Sequence, residues 1–163
     1  MKKTKVVLLI ILLAGLSACS SSATKLSSDA INGDLARVKE RVSAGINVNE
    51  YDKWGWTPLH WAVYYRSLAV TEFLLENGAD PNLKTTAAWG SMKAGCTPLI
   101  ISAYYGLPNF AEPLLKHGAK VGLADNTGLT AMHYAKQYQY RNFIELLEKS
   151  SHIEVAKTKA THE

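Results

Sequence analysis

The chain has 163 residues, two cysteines and a formal net charge of +4, a length that suits one domain rather than several. Three of its 18 basic residues, Lys2, Lys3 and Lys5, lie in an N-terminal segment that stands apart from the rest. Without them the charge nearly balances 14 acidic residues, so composition excludes nucleic acid or a general anionic surface as the expected partner.

That first segment, MKKTKVVLLIILLAGLSAC, has a basic start, a short apolar run from Val6 to Leu13 and a small-residue exit from Gly15 to Ala18. It reads as a secretory signal over residues 1–18, too short to span a bilayer comfortably. The exit LSAC resembles the bacterial lipobox. That resemblance implies lipidation of Cys19, a short tether over 19–25, a periplasmic location and, with Ser20 next in line, the outer membrane. A lipidated Cys19 leaves Cys96 alone, so no intramolecular disulfide is expected and stability must come from packing.

The rest repeats. Gly95 and Gly128 are 33 residues apart, as are Leu26 and Leu59, while Gly55 and Gly95 are 40 apart, which is the same period with seven residues inserted. Four units fall into register, at about 26–51, 52–84, 92–124 and 125–149, with the insertion at 85–91. In the second unit, TPLH opens a helix: Thr57 can cap it, and Pro58 occupies the first position, where its missing N–H costs nothing. Thr97 and Pro98 repeat the grammar. Leu68, Val70, Phe73, Leu74 and Leu75 make the apolar stripe of a second helix, which Gly78 can end by turning left-handed. One such pair cannot bury its apolar face alone, whereas stacked pairs can.

This pattern resembles the ankyrin repeat over nearly the whole chain beyond the leader. The resemblance implies an all-α solenoid of four helix-turn-helix repeats, with end repeats acting as caps. Ser27, Ser28, Asp29, Asp34, Arg37, Lys39, Glu40 and Arg41 give the first unit a polar outer face, and Lys136, Gln137, Gln139, Arg141, Asn142, Glu145, Glu148 and Lys149 do so for the last. The tail 150–163 is poor in apolar residues and is expected to fray. Three departures predict local trouble. Arg66 replaces the glycine between helices, which should distort that turn. Pro113 falls inside a helix at a cost of about 3 kcal/mol, which should make the third repeat the loosest. Gly122 stands where Asn49 and Asn82 stand in other units.

A search for chemistry returns little. His60 and His133 occupy the fourth position of the TPLH turn, where the resemblance implies hydrogen bonds to neighbouring turns. His117 sits near a helix end, where a cation is favoured. Cys96 could be a nucleophile if its thiol were activated, yet it shares a repeat position with Trp56 and Leu129 and reads as a contact residue. No phosphate loop, paired carboxylates or metal-ligand cluster is present. The expectation is a protein that is not an enzyme and has no cofactor, metal or small-molecule substrate.

The aromatic residues point to binding. Trp61 lies between framework positions Leu59 and Ala62 and is expected in the core. Trp54 and Trp56 flank Gly55 and are expected to project from a turn tip. Tyr64 and Tyr65 recur as Tyr104 and Tyr105, then as Gln137 and Tyr138, so stacking should place a ladder of phenols along one groove. Lys53, Lys84 and Lys93 add positive charge at its rim, and the insertion with Trp89 should project as a finger beside it. The predicted contact set is therefore Lys53, Trp54, Trp56, Tyr64, Tyr65, Trp89, Lys93, Cys96, Tyr104, Tyr105, Leu129 and Tyr138. In size, export signal and repeat count the chain is similar to small ankyrin-repeat lipoproteins of bacterial envelopes. These include immunity proteins against type VI secretion lipase effectors, and that resemblance implies a secreted lipase as partner. An envelope scaffold, in oxidative-stress defence for example, is the alternative.

Overall fold

The computed structural model describes residues 23–160, with side chains to residue 151. The leader and Cys19 lie outside the described residues. Among the described residues eight helices pair into four hairpins: α1 (residues 23–31) with α2 (Leu35–Ser43), α3 (Pro58–Tyr64) with α4 (Leu68–Glu76), α5 (Pro98–Tyr104) with α6 (Pro108–Lys116), and α7 (Ala131–Gln137) with α8 (Arg141–Ala160). First helices stack on first helices, as α3 on α5 and α5 on α7, and second helices stack as α2, α4, α6 and α8. The fold is the all-α repeat solenoid expected, and one continuous core runs through it.

The turn inside each hairpin closes the same way in every copy. The backbone N–H groups of Asp34, Ser67, Leu107 and Tyr140 donate to the carbonyls of Asp29, Ala62, Ser102 and Ala135, each five residues back, at 2.8 to 3.0 Å. This closure needs a left-handed residue just before the donor. Gly33 and Gly106 supply it at φ 66° and 62°, while Arg66 and Gln139 adopt it at 61° and 57° despite their side chains. The turn at Arg66 is therefore not distorted; the residue accepts about 1–2 kcal/mol of backbone strain instead. α6 likewise runs continuously through Pro113, although that ring deletes one helical hydrogen bond.

Asparagines tie successive repeats together. Asn49 Nδ2 donates to Gly78 O at 2.9 Å and its Oδ1 accepts from Asp80 N at 2.8 Å. Asn82 makes the same pair with Gly118 O at 3.0 Å and Lys120 N at 2.8 Å. Gly122 now has a reason: α8 does not turn at the corresponding place but continues to Ala160, so there is no turn for an asparagine to hold. For the same reason residues 150–160 are helical where a frayed tail was expected. Asn82→Ala should cost about 1–2 kcal/mol in denaturant unfolding, because a carbonyl and an N–H each lose a partner.

At the first repeat, Arg37, Lys39 and Glu40 face solvent as a cap requires. Ser27 and Asp29 do not. Asp29 is buried and paired with Arg41, and Ser27 is buried with its hydroxyl lacking any hydrogen-bond partner. Polarity predicts an outward face for both, but Asp29 meets Arg41 of α2 and Ser27 is enclosed.

Candidate functional site: an aromatic strip

The insertion decides how the aromatic residues are arranged. Thr85 N donates to Cys96 O at 2.9 Å and Gly95 N to Thr85 O at 2.7 Å, which closes the base of a hairpin. At its tip Trp89 and Met92 exchange backbone hydrogen bonds of 3.1 and 2.9 Å around Gly90. The hairpin does not project as a finger. It folds back over the second repeat, where Thr86 N donates to Gly55 O at 2.9 Å and Trp56 Nε1 to Ala87 O at 3.1 Å. Gly55 permits that approach, since a Cβ there would collide with Thr86 Oγ1.

Beneath this flap lies a packed indole cluster. Trp56 and Trp61 are both fully buried and stack at 4.5 Å. Trp89 meets Trp61 edge-on at 5.2 Å, and Trp54 meets both Trp61 and Trp89 edge-on at 6.0 and 5.9 Å. Such edge-to-face geometry is favoured by the ring quadrupoles. Trp61 is core, as expected. Trp56 is core too, which corrects its placement at a turn tip: its ring stacks on Trp61 and its indole N–H donates to Ala87 O of the flap.

From this cluster a chain of ring contacts crosses the repeats. Tyr64 touches Trp56 at 5.5 Å and Tyr105 at 5.6 Å, Tyr105 touches Tyr104 at 5.0 Å, and Tyr104 touches Tyr138 at 5.4 Å. The phenol ladder read from the repeat register is therefore present. Its outermost members are Tyr65, 47% exposed, and Tyr138, 38% exposed; Tyr64, Tyr104 and Tyr105 are half-buried. Burial, and then a hydrogen bond with Tyr64, push the Tyr105 hydroxyl above the usual phenol range. A hydrogen bond with Tyr104, and then burial, do the same to Tyr138. Phenols held protonated in this way present donors and apolar edges, not negative charge.

Cations flank the rings. Lys53 Nζ lies 4.4 Å from the Trp54 ring centre and the Arg66 guanidinium 5.8 Å from that of Tyr105, both within cation-π range. Lys93 is exposed on the hairpin. Lys84 is committed elsewhere, its Nζ donating to Ala124 O at 2.6 Å. Leu129 is half-buried, with its N–H donating to Asp125 at 3.1 Å.

Cys96 is fully buried, and burial, with the Asp125 carboxylate adding to it, pushes its thiol up to about 12. It is neither a surface contact nor an available nucleophile, which corrects its inclusion among contact residues. Its backbone carbonyl matters more than its sulfur. His60 Nε2 lies 3.2 Å from Cys96 O and 3.0 Å from Leu83 O, while Nδ1 accepts from Thr57 N at 3.1 Å. Two carbonyls can only accept, so the ring proton sits on Nε2. The histidine thus ties the second repeat to the hairpin base. In the fourth repeat His133 Nδ1 likewise accepts from Thr130 N, at 3.2 Å.

Two buried carboxylates were missed in the sequence. Asp52 accepts Trp61 Nε1–H at 2.6 Å together with the N–H groups of Trp54 at 2.9 Å and Trp56 at 3.2 Å. Asp125 accepts the Tyr134 hydroxyl at 2.6 Å together with Thr127 N at 2.7 Å and Leu129 N. Burial raises the pKa of Asp125, but the hydrogen bonds from Tyr134, Thr127 and Leu129 outweigh it and leave the carboxyl below its ordinary value. The signal was available, since an acid and a ring donor nine residues apart recur in two repeats. In the third repeat Met92 and Ile101, both buried, take the same two places. Among the described residues no group of three or more His, Cys, Asp or Glu side chains could hold a metal, and no helix is long and apolar enough to cross a membrane.

Comparison with known proteins agrees with this architecture. A family model for the ankyrin repeat matches residues 54–86, and one for three copies of ankyrin repeats matches 87–158. The chain is 34% identical over 113 residues to glycerophosphocholine phosphodiesterase gde1 of Schizosaccharomyces pombe, covering 69% of this chain and 9% of that protein. It is 39% identical over 71 residues to the 2-5A-dependent ribonuclease of Mus musculus, covering 43% and 9%. It is 35% identical over 68 residues to ankyrin repeat family A protein 2 of Homo sapiens, covering 42% and 22%. The chain thus spans less than a quarter of each of these relatives, and no activity passes from them to it. With repeat-family matches from 54 to 158 and four stacked helix pairs, the chain belongs to the ankyrin-repeat family, whose repeats serve as protein-interaction modules.

Proposed function

We propose that this chain is an exported, lipid-anchored inhibitor. In this reading Cys19 carries the lipid, the outer membrane holds the chain in the periplasm, and the aromatic strip binds a secreted lipase or phospholipase effector as an immunity protein does. The observation that supports a binding role is the ladder from Tyr64 through Tyr105 and Tyr104 to Tyr138, whose Tyr65 and Tyr138 rings stay open to solvent. Framework needs alone would be met there by small residues. Tyrosine offers rigid apolar area with a polar tip, so the surface stays soluble while empty and releases water when covered. A lipid anchor would place the inhibitor on the surface that such a toxin attacks. The buried, protonated Cys96 thiol adds to the case for binding over catalysis.

The test is a deletion strain grown with its siblings. Loss of the gene should make the strain sensitive to a sibling's phospholipase, and the full chain should restore survival. Normal survival of the deletion strain would contradict immunity and favour an envelope scaffold. Labelling with a clickable fatty acid should mark the wild-type chain and fail on Cys19→Ser; label retained on that variant would remove the anchor.

A further inference from the structure

The charged groups that lie over rings of the strip, Lys53 and Arg66, are both cationic. Helices α3, α5 and α7 contain no acidic residue, and none occurs anywhere between Asp80 and Glu112, a stretch that includes the whole hairpin. Exposed carboxylates sit instead on the second helices, as Glu72 and Glu76 on α4, Glu112 on α6 and Glu145 and Glu148 on α8. Asp80 belongs to the asparagine-linked turns. Two acids that contact the rings, Asp52 and Asp125, are buried and engaged by Trp61 and Tyr134, and Glu50, two residues before Asp52, is half-buried. Lys53 and Arg66, by contrast, are exposed and lie over the rings of Trp54 and Tyr105, and Lys93 is exposed on the hairpin.

From this we infer that the strip takes an acidic protein segment, in which aromatic or aliphatic side chains lie on the tyrosine ladder while flanking Asp or Glu side chains meet Lys53, Arg66 and Lys93. The inference rests on reading the strip as a protein-docking surface and adds the chemistry of what docks. A rim of one sign steers such a segment in and rejects a basic one, because a like charge brought against it would be desolvated without a partner. The strip offers the open rings of Tyr65 and Tyr138, with Lys53, Arg66 and Lys93 as its cations among the described residues. A nucleic-acid backbone would need a row of phosphate contacts to bind at physiological salt.

The full chain, immobilised, is used to select from a random displayed peptide library, and enriched peptides are then synthesised and titrated by fluorescence anisotropy at low and high salt. The expected result is enrichment of peptides that combine aromatic or aliphatic residues with Asp and Glu. Their binding should weaken about tenfold in Lys53→Glu/Lys93→Glu and be restored when the peptide acids become lysines. It should not change in Lys39→Glu, a control on α2. Neutral or basic peptides that depend on Tyr65 and Tyr138 would overturn the acidic preference and leave the docking surface standing. No enrichment, or peptides indifferent to every one of these substitutions, would remove both. A single-stranded oligonucleotide that binds through Lys53 and Lys93, where acidic peptides do not, would reassign the strip to nucleic acid.

Discussion

Lowering the pH from 7 to 4 should remove about 3 kcal/mol of folding stability through His60 alone. The ring is fully buried, and burial, only partly offset by its hydrogen bonds to Leu83 O and Cys96 O, lowers its pKa from 6.5 to about 4. In the unfolded chain the same ring takes up a proton near pH 6.5, so between 6.5 and 4 the unfolded state binds more protons than the folded one. Stability is therefore full above pH 6.5, declines as pH falls, and its loss is complete once pH passes below the folded value. Asp125 acts later, since a carboxyl held below its ordinary value starts to cost stability only under that value. Urea unfolding at closely spaced pH values checks this, with the midpoint expected to slide from pH 6.5 downward. His60→Gln should lower stability at pH 7 and flatten the slope. A wild-type midpoint constant between pH 7 and 4.5 would mean that the ring is not the buried neutral link described.

The second large effect is expected at Trp61. Trp61→Ala should cost about 4 kcal/mol or more: it empties the place on which Trp56 stacks, removes the edge contact to Trp89 and leaves the Asp52 carboxylate without its indole donor. Because a domain of this size has a total stability of only about 5–15 kcal/mol, Trp61→Phe is the informative variant. It keeps most of the ring volume and loses the N–H, for about 2 kcal/mol. Trp54→Ala, at a half-buried ring, should cost less than half as much as Trp61→Ala. Guanidinium unfolding would decide, and equal costs for Trp54 and Trp61 would contradict the cluster as described.

What could be read from the sequence was what repeats. The 33-residue spacing of Gly95 and Gly128, the Thr-Pro helix starts and the paired Tyr64-Tyr65 and Tyr104-Tyr105 gave the helices, their stacking and the ladder, because one physical unit was printed several times. What occurs once could not be read in this way. The insertion had no second copy to compare with, so nothing local said that it would fold back rather than project. Once it does, Trp56 passes from a turn tip to the core. Cys96 is buried for the same reason, since it forms the hairpin base with Thr85. Arg66 was misjudged by the residue preference of a turn whose hydrogen bonds outweigh a modest strain. The Asp52–Trp61 and Asp125–Tyr134 pairs were legible from a spacing present twice, yet only the structure shows that Met92 and Ile101 fill the same places with apolar side chains.

The central claim is that one aromatic array serves two purposes, with Trp56 and Trp61 holding the fold and Tyr65 and Tyr138 held out for a protein partner. The most direct measurement is the Kd of the partner for Tyr65→Ala/Tyr138→Ala, taken alongside the melting temperature of the same variant. The account predicts binding weaker by about a hundredfold, as two exposed anchor rings are lost, with the melting temperature within about 2 °C of the parent. Unchanged affinity together with a clearly lower melting temperature would show that these rings belong to the core and that the docking surface lies elsewhere.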